Sequence, residues 1–445
     1  MTFYIYTLGD AGFLHNIFVA VGAIFGPGHE DAFSDALKLG MLVGVFGIVF
    51  KGLQNAGAGM NPAAFVISII LYMTMFVPKA TVYIEDVYSG SVYTATDVPL
   101  GVAAAGNITS TIGLTITRWF DQAFSLPHSG SGLSEDGYLN GLDILVGARS
   151  HLTNSFYFSA ANEISTGTAD FKQSWVNYIQ ECTIPGLDRG EISINDIVFA
   201  NDIVASLKFT SSVYITEINT TGTPEVKTCT AAHTALATFT NDTFVDNVAL
   251  TLRQLVLGST SAASASSGQV LTKLSDALTY IGQSSVSSRK YMTSALLIPI
   301  VEEAMMGKHV NDLQTTSATM IASAIQQRNV QWASEQKVFK ATFRPIYTFI
   351  EGMVYAITPL MAILILMGPF GIALVGKYFL TLFWIQLWMP LMAIANMFIY
   401  TSAVGDMAAF SDVTEFPLTS FGGIYALDQK LSTWLSTGAY MAASA

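Results

Sequence analysis

Charged side chains are scarce in this chain, and one long stretch has almost none. Only 12% of the 445 residues are charged, about half of the usual share. Between Glu351 and Asp406 the one formal charge is Lys377, and the flanking runs 352–376 and 378–405 are uncharged. A helix needs roughly 20 mostly apolar residues to cross the hydrocarbon core of a bilayer. Each run is long enough, so we expect an integral membrane protein.

The sequence also lacks clusters of basic residues. It contains 20 Lys and Arg against 32 Asp and Glu, which gives a formal net charge of −12. A surface that binds nucleic acid needs clustered Lys and Arg to contact phosphates, so we expect no direct nucleic-acid-binding surface. The first nine residues carry no Lys or Arg, which argues against a cleavable signal peptide. We therefore expect an internal apolar segment to direct membrane insertion.

No pattern in the sequence predicts catalysis. The six histidines show no paired spacing of metal ligands. The string from Gly371 to Lys377 only imitates a phosphate-binding loop, because Tyr378 stands where that loop needs Ser or Thr. We expect no catalytic residue, no metal site and no cofactor, and we interpret Lys377 as a lysine at the turn between two spans. The residues favour a structural or conduit protein in the membrane over an enzyme.

Cysteine is nearly absent, and the two that occur, Cys182 and Cys229, both lie in a polar part of the chain. Two cysteines cannot build a four-ligand zinc site alone. In an oxidising compartment a bridge is the natural outcome. It would close a loop of roughly fifty residues and stabilise the fold by about 4 kcal/mol in the chain-entropy model. The alternative is a pair of unpaired buried thiols.

Apolar and polar blocks alternate along the chain. They predict a mainly α-helical, polytopic membrane protein, with two transmembrane hairpins flanking a largely helical polar domain. The five predicted regions are an interfacial or re-entrant segment (1–35), a transmembrane hairpin (36–80), the polar domain (81–340), a proline-kinked transmembrane hairpin (341–405) and the start of a C-terminal polar region (406–445).

Two kinds of residue stand out inside the predicted hairpins. Gly40 and Gly44 form a small-xxx-small pair, which allows close helix packing in lipid and suggests oligomerisation. Pro359 and Pro390 lie inside the apolar runs of the second hairpin. Neighbouring helices can satisfy the carbonyls that proline frees, so we expect these prolines to kink the spans without breaking them.

Three further residues in the second hairpin invite a functional interpretation. Trp384 and Trp388 lie one helical turn apart, which fits either a lipid-facing aromatic belt or a helix-packing seam. Glu351 lies near the start of the third span, where an ionisable group is costly. We expect Glu351 at the level of the lipid headgroups.

Within the polar regions the pattern of apolar residues predicts several local elements. They are an extended segment over 82–86, an amphipathic helix over 102–124, a helix over 171–182 that stops at Pro185, loops over 128–137 and 219–228, a mobile linker over 258–268, helices over 293–343 and an amphipathic helix over 426–442.

The charged residues near the predicted spans favour opposite orientations in the membrane. Lys337, Lys340 and Arg344 flank the third span on the side of the polar domain, which by the positive-inside rule favours a cytoplasmic polar domain. Lys51 and Lys377 fall at the predicted opposite turns and favour the reverse. The cysteine pair also favours a polar domain outside the cytoplasm.

Several longer strings resemble a known family. They are Val77–Val82, Asp97–Gly101, Arg118–Pro127, Trp175–Pro185, Gln327–Ala333, Phe349–Pro359 and Trp384–Pro390, which occur in this order over nearly the whole chain. The set resembles the N-terminal region of the TraG-type mating-pair stabilisation proteins of conjugative type IV secretion systems. The failed phosphate loop separates the chain from the coupling-protein ATPases that share the TraG name.

The resemblance implies a bacterial inner-membrane location, a periplasmic 81–340 block and C-terminal end, and a role in conjugative DNA transfer. It supports the bridge between Cys182 and Cys229, and it implies that both hairpins enter the membrane from the periplasm, with Lys377 at a cytoplasmic turn. Many members carry a further C-terminal domain, so roles tied to that domain are not assigned to these residues.

Two hypotheses for the function follow. The first is a membrane component that supports mating-pair formation and DNA transfer as a homo-oligomeric pore or platform. The second is an anchored protein that docks other secretion and mating-pair proteins without a conduit of its own. Crosslinks from the polar block to copies of itself favour the first hypothesis, and crosslinks only to other components favour the second.

Overall fold

The computed structural model describes most of the chain. The described residues are 1–26, 30–54, 62–87, 90–123, 132–133, 137–152, 159–165, 167–257, 264–309, 344–414 and 417–444. Several predictions concern residues outside this set: most of the turn between the first two spans, the loop over 128–131, the linker over 258–263, the helix over 310–343 with the string Gln327–Ala333, and the boundary at 340.

The described part of the chain is mainly helical. Its α-helices are α1 (Ala11–Phe25), α2 (Glu30–Gln54), α3 (Pro62–Met75), α4 (Leu100–Ala123), α5 (Asn140–Leu152), α6 (Phe171–Tyr178), α7 (Ile184–Asp188), α8 (Ile194–Val198), α9 (Ile203–Ser206), α10 (Cys229–Phe239), α11 (Val245–Leu257), α12 (Ser267–Tyr280), α13 (Ser288–His309), α14 (Arg344–Ala356), α15 (Thr358–Ile365), α16 (Pro369–Gln386), α17 (Trp388–Thr414) and α18 (Phe421–Ser444). Short π-helical turns over Ile179–Thr183 and Thr240–Phe244 join α6 to α7 and α10 to α11.

Three small sheets accompany the helices in this part of the chain. Their strands are β1 (Thr2–Thr7), β2 (Lys79–Asp86) and β3 (Val92–Pro99) in the first sheet, β4 (Glu163–Ile164) and β5 (Gly167–Thr168) in the second, and β6 (Ile215–Ile218) and β7 (Glu225–Thr228) in the third. The predicted extended segment over 82–86 is confirmed as part of β2. The predicted loop over 219–228 is wrong in its second half, because β7 pairs there with β6 as an antiparallel hairpin.

The first sheet joins the N-terminus to the polar region. β1 pairs in parallel with β2, with Ile5 opposite Ile84, and β3 completes the order β1-β2-β3. A parallel pair needs a long crossover, and here α1, α2 and α3 supply it. Ile5, Val82 and Ile84 are fully buried, so the period-two pattern of these strands points into the core.

Among the described residues, four helical stretches are long and apolar enough to cross a membrane. They are Phe33–Phe50, Leu100–Ala123, Arg344–Ile365 and Pro369–Phe410. The second is α4, which the sequence predicted only as an amphipathic helix of the polar domain. It packs against β1, α16 and α17, because glycines on its inner face allow a close approach. α4 therefore belongs to the same packed bundle as the later membrane-length helices.

The second membrane-length pair turns at Leu366–Gly368. Gly368 has a φ of 79°, which a glycine adopts without the cost that a side chain would add, and Pro369 then starts α16. Lys377 lies in the middle of α16, so the prediction of a lysine at the turn is wrong. The sequence argument located the turn by its one charge, whereas the backbone turns where Gly and Pro permit it.

Both predicted proline kinks coincide with interruptions of the helices. α14 and α15 are separated at Ile357, just before Pro359, and α16 and α17 at Leu387, just before Pro390. Pro359 cannot donate to the carbonyl of Tyr355, and the Thr358 hydroxyl donates to that carbonyl instead, at 2.6 Å.

One helical run of the polar region is longer than the predicted helix over 171–182. The helix that starts at Phe171 continues through the π-helical turn and α7 to Asp188, passing Pro185. A proline in the first turn of a helix costs no hydrogen bond, and Pro185 occupies such a position in α7. The predicted helix over 426–442 is confirmed within α18.

Candidate functional site

Glu351 lies at the centre of a buried polar cluster in the membrane bundle. It is 1% exposed, so the protein itself encloses the carboxylate, and its level in the bilayer stays a prediction. The Thr7 hydroxyl of β1 donates to one carboxylate oxygen, and the Gln386 side-chain amide at the end of α16 donates to the other at 2.9 Å. A buried carboxylate needs such partners, because an unpaired charge in a low-dielectric interior is very costly. Glu351 thereby joins β1, α14 and α16.

Further hydrogen bonds fasten the N-terminal strand to α14. The Thr348 hydroxyl accepts from the backbone N–H of Asp10 at 2.9 Å, and Arg344 donates to the carbonyl of Gly9 at 3.2 Å. Arg344 also forms an ion pair with Asp86, the last residue of β2. The first sheet and α14 are therefore joined by polar contacts between residues that are far apart in sequence.

The buried polar residues of α14 and α15 follow one face of the helix. Their spacing of three or four residues sets them one above another. They are Tyr347, Thr348, Glu351, Tyr355 and Thr358. At the inner end of this polar stripe the Thr358 and Tyr378 hydroxyls lie 2.9 Å apart. The stripe therefore extends from the polar end of α14 into the membrane-length bundle.

The partners of Glu351 can accept as well as donate hydrogen bonds. The hydroxyl of Thr7 does both, and the amide of Gln386 presents a donor and an acceptor, so the carboxyl group can bind or release a proton without losing its hydrogen bonds. The Gln386 carbonyl oxygen and the Tyr355 hydroxyl are buried and have no hydrogen-bond partner among the described residues. Chemically, the cluster is suited to hold a carboxyl group in either protonation state.

A second buried polar junction joins the polar region to the last helix. The Arg149 guanidinium contacts the Asp428 carboxylate at 3.1 Å and donates to the carbonyl of Ala295, which links α5, α18 and α13. Both side chains are less than a tenth exposed. Burial raises the pKa of the Asp428 carboxyl group, and the neighbouring Arg149 opposes that rise. Nearby, the Tyr425 hydroxyl donates to Glu302 at 2.6 Å, and burial raises the pKa of Glu302.

Hydrogen bonds also join α17 to the start of α5. Asn396 accepts from the backbone N–H of Leu139 at 2.9 Å, and the Tyr400 hydroxyl accepts from that of Gly141 at 3.0 Å. Leu139 has a φ of 51°, an uncommon backbone for a side-chain-bearing residue that these contacts hold in place. α17 therefore continues from a membrane-length run directly into contact with the polar region.

The family of the chain follows from its sequence profile together with this architecture. The family described as TraG-like protein, N-terminal region, matches residues 4–445. The chain belongs to this family. No curated protein and no solved structure matches the chain significantly. Family membership supports a conjugation-related role in mating-pair stabilisation, and the membrane-length helices fit a membrane location.

The disulfide of this TraG-like chain is present, as the resemblance implied. Cys182 and Cys229 are bridged, with 5.7 Å between their Cα atoms. The bridge joins the π-helical turn after α6 to the first residue of α10. The same two helical segments are joined by the Trp175 indole N–H, which donates to the Thr240 hydroxyl at 3.1 Å. His233 lies beside these rings and contacts the carbonyl of Val204 at 2.7 Å, and burial lowers its pKa.

Gly40 and Gly44 of the TraG-like chain pack within the protomer. A methyl group on Gly40 would come within 2.8 Å of the Ile363 carbonyl oxygen, and one on Gly44 within 2.6 Å of that of Leu366. These glycines therefore allow α2 to lie against α15. This close contact occurs inside one chain, and oligomerisation through the pair stays a prediction.

The two tryptophans have different environments. Their rings meet edge to face with centroids 5.7 Å apart, but Trp384 is 52% exposed, whereas Trp388 also contacts the Tyr347 ring. Trp384 therefore fits the lipid-facing interpretation and Trp388 the packing seam. Among the residues that the structure describes, no cluster of three or more His, Cys, Asp or Glu residues could hold a metal ion.

Sequence reasoning did not identify most of the polar partners. Thr7, Gln386, Arg149, Asp428 and Asn396 each contact a residue that is distant in sequence. A signal did exist for Gln386 and Asn396, since they are isolated amides in an otherwise apolar run. Polar side chains within membrane helices usually face the bundle interior and pair there.

Proposed function

We propose that this TraG-like chain is an inner-membrane component of a conjugative type IV secretion system and acts as a platform. In this role its membrane helices carry the 81–340 block and the C-terminal region on the periplasmic side. α4, although long enough to cross a membrane, stays within that block and packs β1 against α16 and α17. It supports mating-pair stabilisation and DNA transfer by holding the periplasmic block in a fixed relation to the membrane.

The observation that carries the platform proposal is the joining of distant segments by buried polar contacts. Glu351 connects β1 with two membrane-length helices, and Arg149 with Asp428 connects the polar region with α18. Breaking a buried charge pair costs about 3–5 kcal/mol, so such junctions resist separation. A platform that holds a periplasmic block in place on the inner membrane needs such stiffness.

The disulfide supports the periplasmic side for the polar block. Disulfides form and persist in oxidising compartments such as the bacterial periplasm and are rare in the cytosol. The bridge between Cys182 and Cys229 lies in the middle of the polar block. Both cysteines are fully buried, so the bridge is part of the core of this region.

One observation favours the docking alternative, in which the chain forms no conduit. The small-xxx-small pair Gly40 and Gly44 motivated self-association, and it is occupied by α15 of the same chain. This removes the sequence argument for a homo-oligomer from that helix face. An anchored protein that docks other secretion proteins requires no contact between copies of itself.

DNA transfer from donor cells tests the proposed function. Donors lacking the gene are complemented with the full-length protein carrying Arg149→Leu, or the matched exposed variant Arg189→Leu, whose ion pair with Glu191 is largely solvated. We expect the deletion to abolish transfer and stable mating pairs, Arg189→Leu to restore both, and Arg149→Leu to restore neither fully. Unchanged transfer in the deletion strain would contradict the proposal.

Crosslinking from the polar block separates the platform from the docking protein. A photoreactive residue replaces exposed Val213 or Val226 of the disulfide-braced region. Adducts between copies of this chain favour a self-assembled platform. Adducts only with other secretion proteins favour the docking role.

A further inference from the structure

Lys377 occupies an unusual position for a charged residue. It is the ninth of the 18 residues of α16, so about 13 Å of helix separates it from either end. This distance is longer than a lysine side chain, which limits how far its ammonium group can snorkel toward the membrane surface. α16 is part of the candidate span Pro369–Phe410. Lys377 is therefore a cation in the middle of an apolar helix.

The side chain of Lys377 points away from the protomer. Gln386, two and a half turns further along the helix, faces inward to Glu351, and a helix rotates by about 100° per residue, which sets Lys377 on the opposite side. The outward face is exposed along its whole length. Its members are Phe370, Ala373, Lys377, Leu380, Thr381 and Trp384.

Within the part of the chain that the structure describes, no carboxylate forms an ion pair with Lys377. The Thr381 hydroxyl donates to the backbone carbonyl of Lys377 at 3.0 Å. This hydrogen bond does not involve the ammonium group of Lys377. Charged residues within membrane helices are rare and usually pair with an opposite charge. Beside Lys377, Gly376 has no other atom within 4 Å of the position of an added methyl group, so another helix could approach closely.

The carboxylates of the candidate spans are already engaged. These spans contain four acidic residues, and each has a partner in its own chain: Asp35 with Lys38, Asp121 with the backbone N–H of Leu133, Glu351 with Thr7 and Gln386, and Asp406 with Lys430 and Trp434. The candidate spans of a second copy, as far as the structure describes them, therefore offer no acid without a partner in its own chain. A two-fold contact through this face would also bring two lysines together.

We propose that the outward face of α16, centred on Lys377, binds a transmembrane helix of a different membrane protein, which carries an Asp or Glu at the same depth. Lys377 pairs with that carboxylate, Gly376 and Ala373 allow the close approach, and Leu380 and Trp384 flank the pair. The proposal requires only that α16 lies in the membrane, so its failure would leave the proposed platform role standing.

Photo-crosslinking in donor cells with the complete transfer machinery tests this contact. A benzophenone amino acid replaces Leu380, which is 68% exposed and lies one turn from Lys377. It is combined with native Lys377, Lys377→Arg or Lys377→Leu in the full-length protein. We expect an adduct with one other membrane protein whose yield falls about tenfold with Lys377→Leu and is largely kept with Lys377→Arg, because arginine preserves the charge.

Two controls separate this result from a general loss of charge or of folding. Arg118→Leu removes an exposed cation near the end of α4 and should leave the adduct unchanged. The melting temperature of purified Lys377→Leu in detergent should match that of the native protein, since Lys377 forms no ion pair within the described chain.

Identification of the partner's carboxylate completes the test. The crosslinked peptide should come from a membrane helix that contains Asp or Glu, and exchanging that acid for Lys should restore the adduct to Lys377→Glu. Adducts only with lipid, adducts only with copies of this chain, a yield independent of Lys377, or a partner helix without an acid would each overturn the proposal.

Discussion

The side-chain amide of Gln386 donates to the carboxylate of Glu351 at 2.9 Å, inside a bundle of membrane-length helices. The two residues belong to different helices, α16 and α14, and the Thr7 hydroxyl completes the cluster from β1. Three segments that are separate in the sequence thus share one buried carboxyl group. This arrangement predicts how the protein responds when the group is changed.

Replacement of Glu351 by Leu should destabilise the protein. The change removes the acceptor of two buried donors, and each unsatisfied polar group costs about 1–3 kcal/mol. Glu351→Gln keeps the shape and hydrogen-bonding capacity and should cost less. Denaturant unfolding in detergent measures the difference, with the solvated variant Asp35→Asn as control. A Glu351→Leu protein as stable as Asp35→Asn would contradict the assignment.

Breaking the buried Arg149–Asp428 pair should destabilise the protein more than replacing both of its residues. Arg149→Leu should cost about 3–5 kcal/mol, because it leaves the buried Asp428 carboxylate without its partner. The double variant Arg149→Leu with Asp428→Leu should recover much of that loss, and Asp428→Leu alone completes the comparison. Arg189→Leu, which breaks an exposed pair, should cost no more than about 1 kcal/mol. Additive losses in the double variant would show that the two residues do not act as a pair.

The packing of α2 on α15 can be tested with two glycines of one helix. A methyl group on Gly44 would lie 2.6 Å from the Leu366 carbonyl oxygen, whereas one on Gly47 would meet nothing within 4 Å. Gly44→Ala should therefore destabilise the protein by about 1–3 kcal/mol. Gly47→Ala should be neutral or slightly stabilising, since alanine is the better helix former. Equal melting temperatures for the two variants would contradict the close packing of α2 on α15 at Gly44.

Loss of the disulfide should weaken the polar region specifically. Cys182→Ala with Cys229→Ala opens a bridge between residues 47 apart in sequence, and the chain-entropy model assigns it about 4 kcal/mol. We expect faster proteolysis within 171–257 and little change in cleavage of the membrane helices. Proteolysis followed by mass spectrometry measures both in the same sample. Cleavage that rises equally in both parts would argue against a locally acting bridge.

Stability should fall as the pH decreases below about 6.5, in part through His233. Burial lowers the pKa of this residue below its ordinary value of 6.5, so between the two pKa values the unfolded chain binds a proton that the folded chain does not. Acidification therefore favours unfolding in that window. His233→Gln should show a shallower decline of melting temperature between about pH 7.5 and about pH 5.5. An identical decline in both proteins would remove His233 from the explanation.

Local features of the fold could be predicted from the sequence, and distant pairings could not. The apolar runs predicted α3 and much of α2, α4 and α14–α17, and the extended string over 82–86 predicted β2. β1 escaped notice because it is six residues long and pairs with a strand that begins after Val77. Parallel pairing leaves no turn signal near either strand.

The candidate site shows the same division. The sequence indicated that Glu351 was unusual, but its burial depends on Thr7, which is 344 residues away. Lys377 was assigned to a turn because charge is costly in a membrane, whereas Gly368 and Pro369 set the turn and leave Lys377 on an exposed helix face. A single sequence shows which residues are costly to bury, and only the packed structure shows what they contact.

A topology map with reporter fusions in living cells tests the central claim most directly. Alkaline phosphatase, which is active only in the periplasm, is fused after Thr223 between β6 and β7, after Gln54 at the end of α2, and after Met367 between α15 and α16. The platform account predicts activity at Thr223 and none at Gln54 or Met367. Activity at Gln54 or Met367, or none at Thr223, would contradict a periplasmic block carried by membrane helices.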